Sequence, residues 1–209
     1  MENLLSLLVG LTGGMGTGKT LVASIFKELG AHILDADLIC RKLVEPGQPA
    51  LKEISECFGG NILDQSRNLD RKKLAQIIFN DPDKKKDLEN ILHPKVFAFE
   101  KDKYKNICKI NPSALVIIDA ALLIESGNYK NMDKVVVVST DEKNQVERIL
   151  ARGGLRKDEI ISRIDNQMPN NEKKRYADFI LDNSSDKFQL RTQVECLYAK
   201  LTIFAAKNQ

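Results

Sequence analysis

The run Gly13-Gly14-Met15-Gly16-Thr17-Gly18-Lys19-Thr20 constrains this chain more than any other segment, because it fits GxxxxGKT and lies between an apolar run and a helical one. Four glycines within six residues let the backbone turn tightly with its N–H groups facing inward. The N-terminus of the following helix adds partial positive charge, so the loop makes an anion cradle suited to nucleotide phosphates. Lys19 can reach the β- and γ-phosphates, and Thr20 offers a hydroxyl to Mg²⁺, which prefers oxygen ligands and keeps several waters. The plainer alternative is a glycine-rich turn used for close packing, and it gives Lys19 and Thr20 no task.

The flanking segments read as strand and helix. Leu4 to Leu11 is nearly continuous in apolar residues, the pattern of a parallel strand covered on both faces, and Lys19 to Leu29 has helical periodicity until Gly30. Ala31 to Leu34 is a second short strand, and it delivers Asp35-Ala36-Asp37 at its C-terminal end, where open α/β sheets bind ligands. From Leu38 to about Ile110 the pattern is helical and polar, with stop signals at Pro46-Gly47, Gly59-Gly60, Asp81-Pro82 and His93-Pro94, which predicts a helical insertion. Leu115 to Asp119, Lys134 to Ser139 and Phe179 to Leu181 read as further strands. Glu142 to Arg152 and Lys157 to Gln167 read as helices parted by Gly153-Gly154, and Asp186 to about Lys207 as a closing helix with apolar positions at Phe188, Val194, Leu197, Leu201 and Phe204. This order predicts an α/β fold with a doubly wound parallel sheet.

At 209 residues the chain suits one large α/β domain carrying such an insertion. Lys and Arg number 32 against 29 Asp and Glu, a balance that argues for neither a nucleic-acid nor a membrane partner. The run Lys84-Lys85-Lys86 sits among Asp81, Asp83, Asp87 and Glu89 and reads as a solvated helix face. Cys40, Cys57, Cys108 and Cys196 form no CxxC pair and no zinc spacing with His32 or His93, so the expected setting is reduced and cytoplasmic. The apolar stretch Leu4 to Gly10 lacks a basic leader and is too short to span a bilayer.

Several charged residues are candidates for chemistry. If strand geometry persists, Asp35 and Asp37 lie on one face and share an electrostatic site, where one could take the proton of an acceptor hydroxyl; either could instead cap the following helix. Asp119 ends an apolar strand and could hold magnesium through a water or cap a loop. Arg148, Arg152 and Arg156 recur every four residues and could aim guanidinium groups at phosphates, or form a solvated face. His93 reads as a helix-end or packing residue.

Beyond the phosphate loop, LTGGMGTGKT, DADLICRKLVEPG, LDRKKLAQIIFNDPDKKKDLENILHP and QMPNNEKKRYADFILDN resemble the dephospho-coenzyme A kinase family along nearly the whole chain. The resemblance implies a P-loop kinase fold with a nucleotide-binding core at residues 1–37 and 112–209, a lid at about 150–170, and a helical acceptor domain at 38–111. It implies that MgATP phosphorylates the ribose 3′-hydroxyl of dephospho-coenzyme A, the final step of coenzyme A synthesis. Asp37 falls on the catalytic base, Lys19 and Arg152 on catalytic cations, and Thr20 on the metal ligand. The nucleotide site falls on Gly13, Gly14, Met15, Gly16, Thr17, Gly18, Lys19, Thr20, Leu21 and Asn183, and the acceptor site on Asp35, Arg41, His93 and Leu122. A monomer is the favoured state. Ala121 and Gly153 depart from the family pattern, which usually has Pro and Asp there.

Two rivals share the loop. Another P-loop kinase acting on a nucleoside or nucleotide would lack this helical insertion. A nucleotide-switch protein would need an NKxD segment after a late strand, and Leu181-Asp182-Asn183 lacks the Lys.

Overall fold

The structure, a computed structural model, describes residues 6–79, 81–153, 156, 159–161, 164 and 167–207. Five strands form a single parallel sheet: β1 (Leu7–Thr12), β2 (His32–Asp35), β3 (Leu115–Asp119), β4 (Lys134–Ser139) and β5 (Phe179–Asp182). Their order is β2-β3-β1-β4-β5, so β1 is central and the glycine-rich loop leaves the middle of the sheet. Leu11 of β1 is in register with Asp119 of β3, and Thr12 with Val137 of β4. β3 and β4 are buried almost throughout, as their unbroken Val and Ile content requires of strands covered on both faces.

Internal contacts divide the chain into two units, residues 1–34 with 104–209, and residues 35–103. In the first, α1 (Lys19–Glu28) and the long closing helix α8 (Lys187–Lys207) contact each other and the sheet. Val22, Ile25 and Phe26 of α1 join Val9, Leu11, Ile117, Val136 and Val138 in one buried core. The buried stripe of α8 is Leu190, Val194, Leu197, Leu201 and Ala205, a regular i, i+4, i+7 spacing. This corrects the sequence reading at both ends of the helix. Phe188 is two residues off the stripe and 78% exposed, while Phe204 lies outside the buried set against the ring of Phe179, with centroids 6.3 Å apart.

The second unit has its own core, Val44, Ala50, Ile54, Ile62 and Leu74, supplied by α2 (Ala36–Leu43), α3 (Pro49–Phe58), α4 (Arg71–Phe79) and their connections. α5 (Pro82–Ile110) runs through His93-Pro94 without a break, contrary to the stop expected there. Proline inside a helix removes one hydrogen bond and costs roughly 3 kcal/mol. Leu88, Ile91 and Leu92 before it pack on the second core, and Val96 just after it is buried, so contacts on both sides hold the helix together. The division of internal contacts falls at 34/35 and 103/104, beside the bounds 37/38 and 111/112 that the family resemblance implies. The C-terminal end of α5 belongs with the first unit because Tyr104 and Cys108 hydrogen-bond the Ser6 hydroxyl, at 2.8 and 3.0 Å, beside the start of β1. The Tyr104 hydroxyl is pushed up to about 12, chiefly by its burial.

The helix expected over Lys157 to Gln167 falls largely outside the described residues, as do the side chain of Arg152 and much of the expected lid.

Candidate active site

The loop from Gly13 to Gly18 divides its backbone donors into two groups. In its first half every N–H from Gly14 to Thr17 except that of Gly16 is engaged by protein: Gly14 donates to Asn170 Oδ1 at 3.2 Å, Met15 to Gln167 Oε1 at 3.0 Å, and Thr17 to the Gly14 carbonyl at 3.2 Å. Leu21 donates to Gly18 at 2.9 Å, as an ordinary first-turn residue. Among the described residues the N–H groups of Gly16, Gly18, Lys19 and Thr20 meet no protein acceptor. These four are the donors open to an anion at the N-terminus of α1. Gly18 adopts the left-handed φ of 91°, and a Cβ there would collide with the Asn183 amide. That amide donates to the Thr17 carbonyl at 2.8 Å, so Asn183 braces the loop from the end of β5.

Lys19 forms an ion pair with Asp119, whose place at the end of β3 follows from its register with Leu11. Asp119 is buried, so this contact sets the lysine side chain within the loop's mouth. Thr20 follows on the exposed side of α1. The Thr20 hydroxyl and the Asp119 carboxylate are hard oxygen donors of the type that suits Mg²⁺. Among the described residues no group of three His, Cys, Asp or Glu side chains gathers into a metal cluster. Magnesium here would take its remaining ligands from nucleotide and water.

A second buried ion pair lies behind the loop. Lys173, with no exposed surface, donates to the Ala121 carbonyl at 2.7 Å and to Glu125 at 2.8 Å. Burial pushes its ammonium below the usual lysine range, and Glu125 opposes that shift. Glu125 also accepts from the Met168 N–H at 3.1 Å. Replacing Glu125 with Gln leaves a buried ammonium without its counter-charge, and breaking such a pair typically costs about 3 kcal/mol. For a chain of this size that is a fall in Tm of roughly 6–12 °C, measurable by calorimetry, with a smaller loss in Lys173→Met, which leaves no buried cation.

The candidate acidic residues sit in the second unit. β2 ends at Asp35 and α2 begins at Ala36, so strand spacing does not carry Asp35 and Asp37 onto one face as expected. Asp35 is the N-cap of α2, its Oδ1 accepting from the Leu38 N–H at 2.9 Å. This is the capping role weighed from the sequence, and it engages one of the two carboxylate oxygens. Asp37 is exposed in the first turn of α2, where negative charge complements the helix dipole. Arg41 lies one turn further on, and Cys40 between them has its thiol pushed up, chiefly by burial. His93 stacks on Phe97 within α5, ring centroids 5.7 Å apart. Leu122, in the turn after β3 in the first unit, is exposed while its neighbour Leu123 is buried.

The family model for dephospho-CoA kinase matches residues 7–189. The chain belongs to the dephospho-CoA kinase family. A dephospho-CoA kinase from Syntrophotalea carbinolica is 40% identical over 195 residues, covering 93% of this chain and 92% of that protein. One from Aquifex aeolicus is 41% identical over 194 residues, covering 93% and 97%. The solved dephospho-CoA kinase of Campylobacter jejuni superposes with a TM-score of 0.71 at 29% identity, covering 95% of this chain and 98% of that one. The fold is therefore the P-loop kinase fold that the phosphate loop and strand order predict.

Family membership does not by itself explain the site's side-chain bracing, and the sequence reading missed most of it. Gln145, Gln167, Asn170, Lys173 and Glu125 all act on the loop or the turn beside it, yet none was singled out from the sequence. The available signal was the density of amides in QMPNN, which runs into the first residues of α7 (Asn170–Lys173), in a segment that carries the family resemblance.

Proposed function

We propose that this chain transfers the γ-phosphoryl group of MgATP to the ribose 3′-hydroxyl of dephospho-CoA, with Asp37 as the base that takes the hydroxyl proton. ATP-dependent phosphorylation of dephospho-CoA in coenzyme A synthesis is the activity of the family to which the chain belongs. The observation that carries the reading is the reach of the family match, from β1 through the whole helical unit into α8. A generic phosphate loop alone would not extend there.

In this reading the open N–H groups of Gly16, Gly18, Lys19 and Thr20 hold the phosphates, and Lys19 exchanges its contact with Asp119 for the transferring group. Thr20 would hold magnesium, which would supply positive charge to neutralise the phosphoryl oxygens. A cleft of about 690 Å³ beside the loop, bounded by Thr140, Gln145, Gln167, Asn170 and Ser184, has the volume for the nucleoside end of ATP. Arg148 supports a second phosphate contact: its Nη1 is buried with no hydrogen-bond partner among the described residues, a position a phosphoryl oxygen would satisfy. The unit of residues 35–103, carrying Asp35, Asp37, Arg41 and His93, serves as the acceptor domain. Among the described residues no helix is long and apolar enough to cross a membrane.

The test is ADP release by the purified protein with MgATP, in the presence of dephospho-CoA or of a panel of nucleosides and nucleotides. Release dependent on dephospho-CoA alone, with the product phosphorylated at the 3′-position by NMR, is the expected result. Release driven only by a nucleoside or nucleotide would keep the kinase and discard the acceptor.

A further inference from the structure

Met15, at the tip of the phosphate loop, has both polar groups of its backbone held by glutamines. Its N–H donates to Gln167 Oε1 at 3.0 Å, and its carbonyl accepts from Gln145 Nε2 at 2.5 Å. Gln145 lies in α6 (Glu142–Arg152) and is buried. Gln167 lies outside α6, beyond Gly153, so the two amides reach the loop from two separate stretches of chain. A Cβ on Gly14 would fall 3.2 Å from Gln145 Nε2 and 2.9 Å from Asn170 Oδ1, which shows how closely these amides enclose the loop.

These contacts could serve the loop in two opposed ways. In one, the amides occupy donors that the phosphates need, and nucleotide has to displace them. The donor inventory decides against this: Gly14 and Met15 give their N–H groups to side chains, whereas Gly16, Gly18, Lys19 and Thr20 keep theirs open among the described residues. The two sets do not overlap. Holding the peptide on the N-terminal side of Gly16 fixes the direction in which the following N–H groups point, before any nucleotide arrives.

We propose that Gln145 and Gln167 are positioning residues for phosphoryl transfer, which set the phosphate loop in its binding geometry by clamping the N–H and carbonyl of Met15. They do so by opposite hydrogen-bonding senses: Gln167 is an acceptor and Gln145 a donor. The proposal rests on the loop being the ATP site, so direct ADP binding to the wild-type protein by calorimetry comes first and tests that reading alone.

The opposite senses give a test that packing cannot mimic. Glutamate has the shape of glutamine and adds the same negative charge at either position, but a carboxylate accepts and does not donate. Gln167→Glu therefore preserves its bond to the Met15 N–H, while Gln145→Glu faces the Met15 carbonyl with a second acceptor. We expect kcat/KM for ATP to fall about 10-fold to 100-fold further in Gln145→Glu than in Gln167→Glu, a size typical of misplaced phosphate-binding groups. KM for dephospho-CoA and Tm should stay near wild type in Gln167→Glu. Gln145→Met and Gln167→Met, which remove each bond without adding charge, should both weaken ADP binding. Equal losses in the two glutamate variants would overturn the proposal, as would methionine variants that bind ADP with wild-type affinity. Should a methionine variant fail to fold, the isosteric glutamate pair decides the question.

Discussion

Asp37→Asn is expected to lower kcat for dephospho-CoA phosphorylation by ~10²–10⁴-fold, the range of a positioned general base, while ADP binding stays within about twofold of wild type. Three facts make the variant clean. Asp37 is exposed, so the substitution removes no core contact, and exposed changes usually alter stability by less than about 0.5 kcal/mol. Asparagine keeps the size and one acceptor oxygen of the side chain, so what is lost is the ability to take a proton. Asp35, two residues away, is engaged by the Leu38 N–H as a helix cap. Asn caps helices about as well as Asp, so Asp35→Asn keeps α2 intact and serves as the comparison. A large loss at 37 with a small one at 35 assigns the base to Asp37. The reverse pattern would move the role to the second oxygen of Asp35, and equal modest losses would remove both carboxylates from proton transfer.

The contrast between these two aspartates also shows where the sequence was readable. β3, β4 and α6 have the very bounds that their Val-rich runs, caps and glycines predict, because a buried parallel strand and a capped helix each leave a dense local signal. The phosphate loop was equally plain, since its glycines answer to a backbone requirement met within a few residues. What failed depended on partners distant in sequence. The Asp35-Asp37 spacing allowed two readings, one shared face if the strand persisted or a cap on the following helix, and the start of α2 at Ala36 realises the cap at Asp35. Pro94 was read as a stop, although flanking contacts of Ile91, Leu92 and Val96 keep α5 whole. Phe188 and Phe204 stand out in the sequence as apolar positions of α8, but the buried stripe uses Leu190 and Ala205 instead. The amides that clamp Met15 lie about 130 and 150 positions from it, and polar residues at such separations give no periodic signal.

Lys19→Met is expected to reduce kcat/KM for ATP by ~10²–10³-fold, comparable with removing one preorganised donor from a developing anion, and also to destabilise the protein. The second effect has a separate cause. Lys19 pairs with a buried carboxylate, and taking away the cation removes that attraction from the Asp119 charge, a loss of about 3 kcal/mol by analogy with other broken buried pairs. The two consequences can be separated by adding Asp119→Asn, which removes the charge that Lys19 pairs with. In the double variant Tm should recover part of its loss, because a neutral amide tolerates the site better than a buried carboxylate that has lost this cation, yet activity should stay at the level of Lys19→Met. If activity returned together with stability, Lys19 would act only by holding Asp119 and the loop in place. If neither returned, Asp119 would have work of its own beyond pairing, and binding of Mg²⁺ to the Asp119→Asn single variant, titrated in the presence of ADP, would identify it as a metal-holding group.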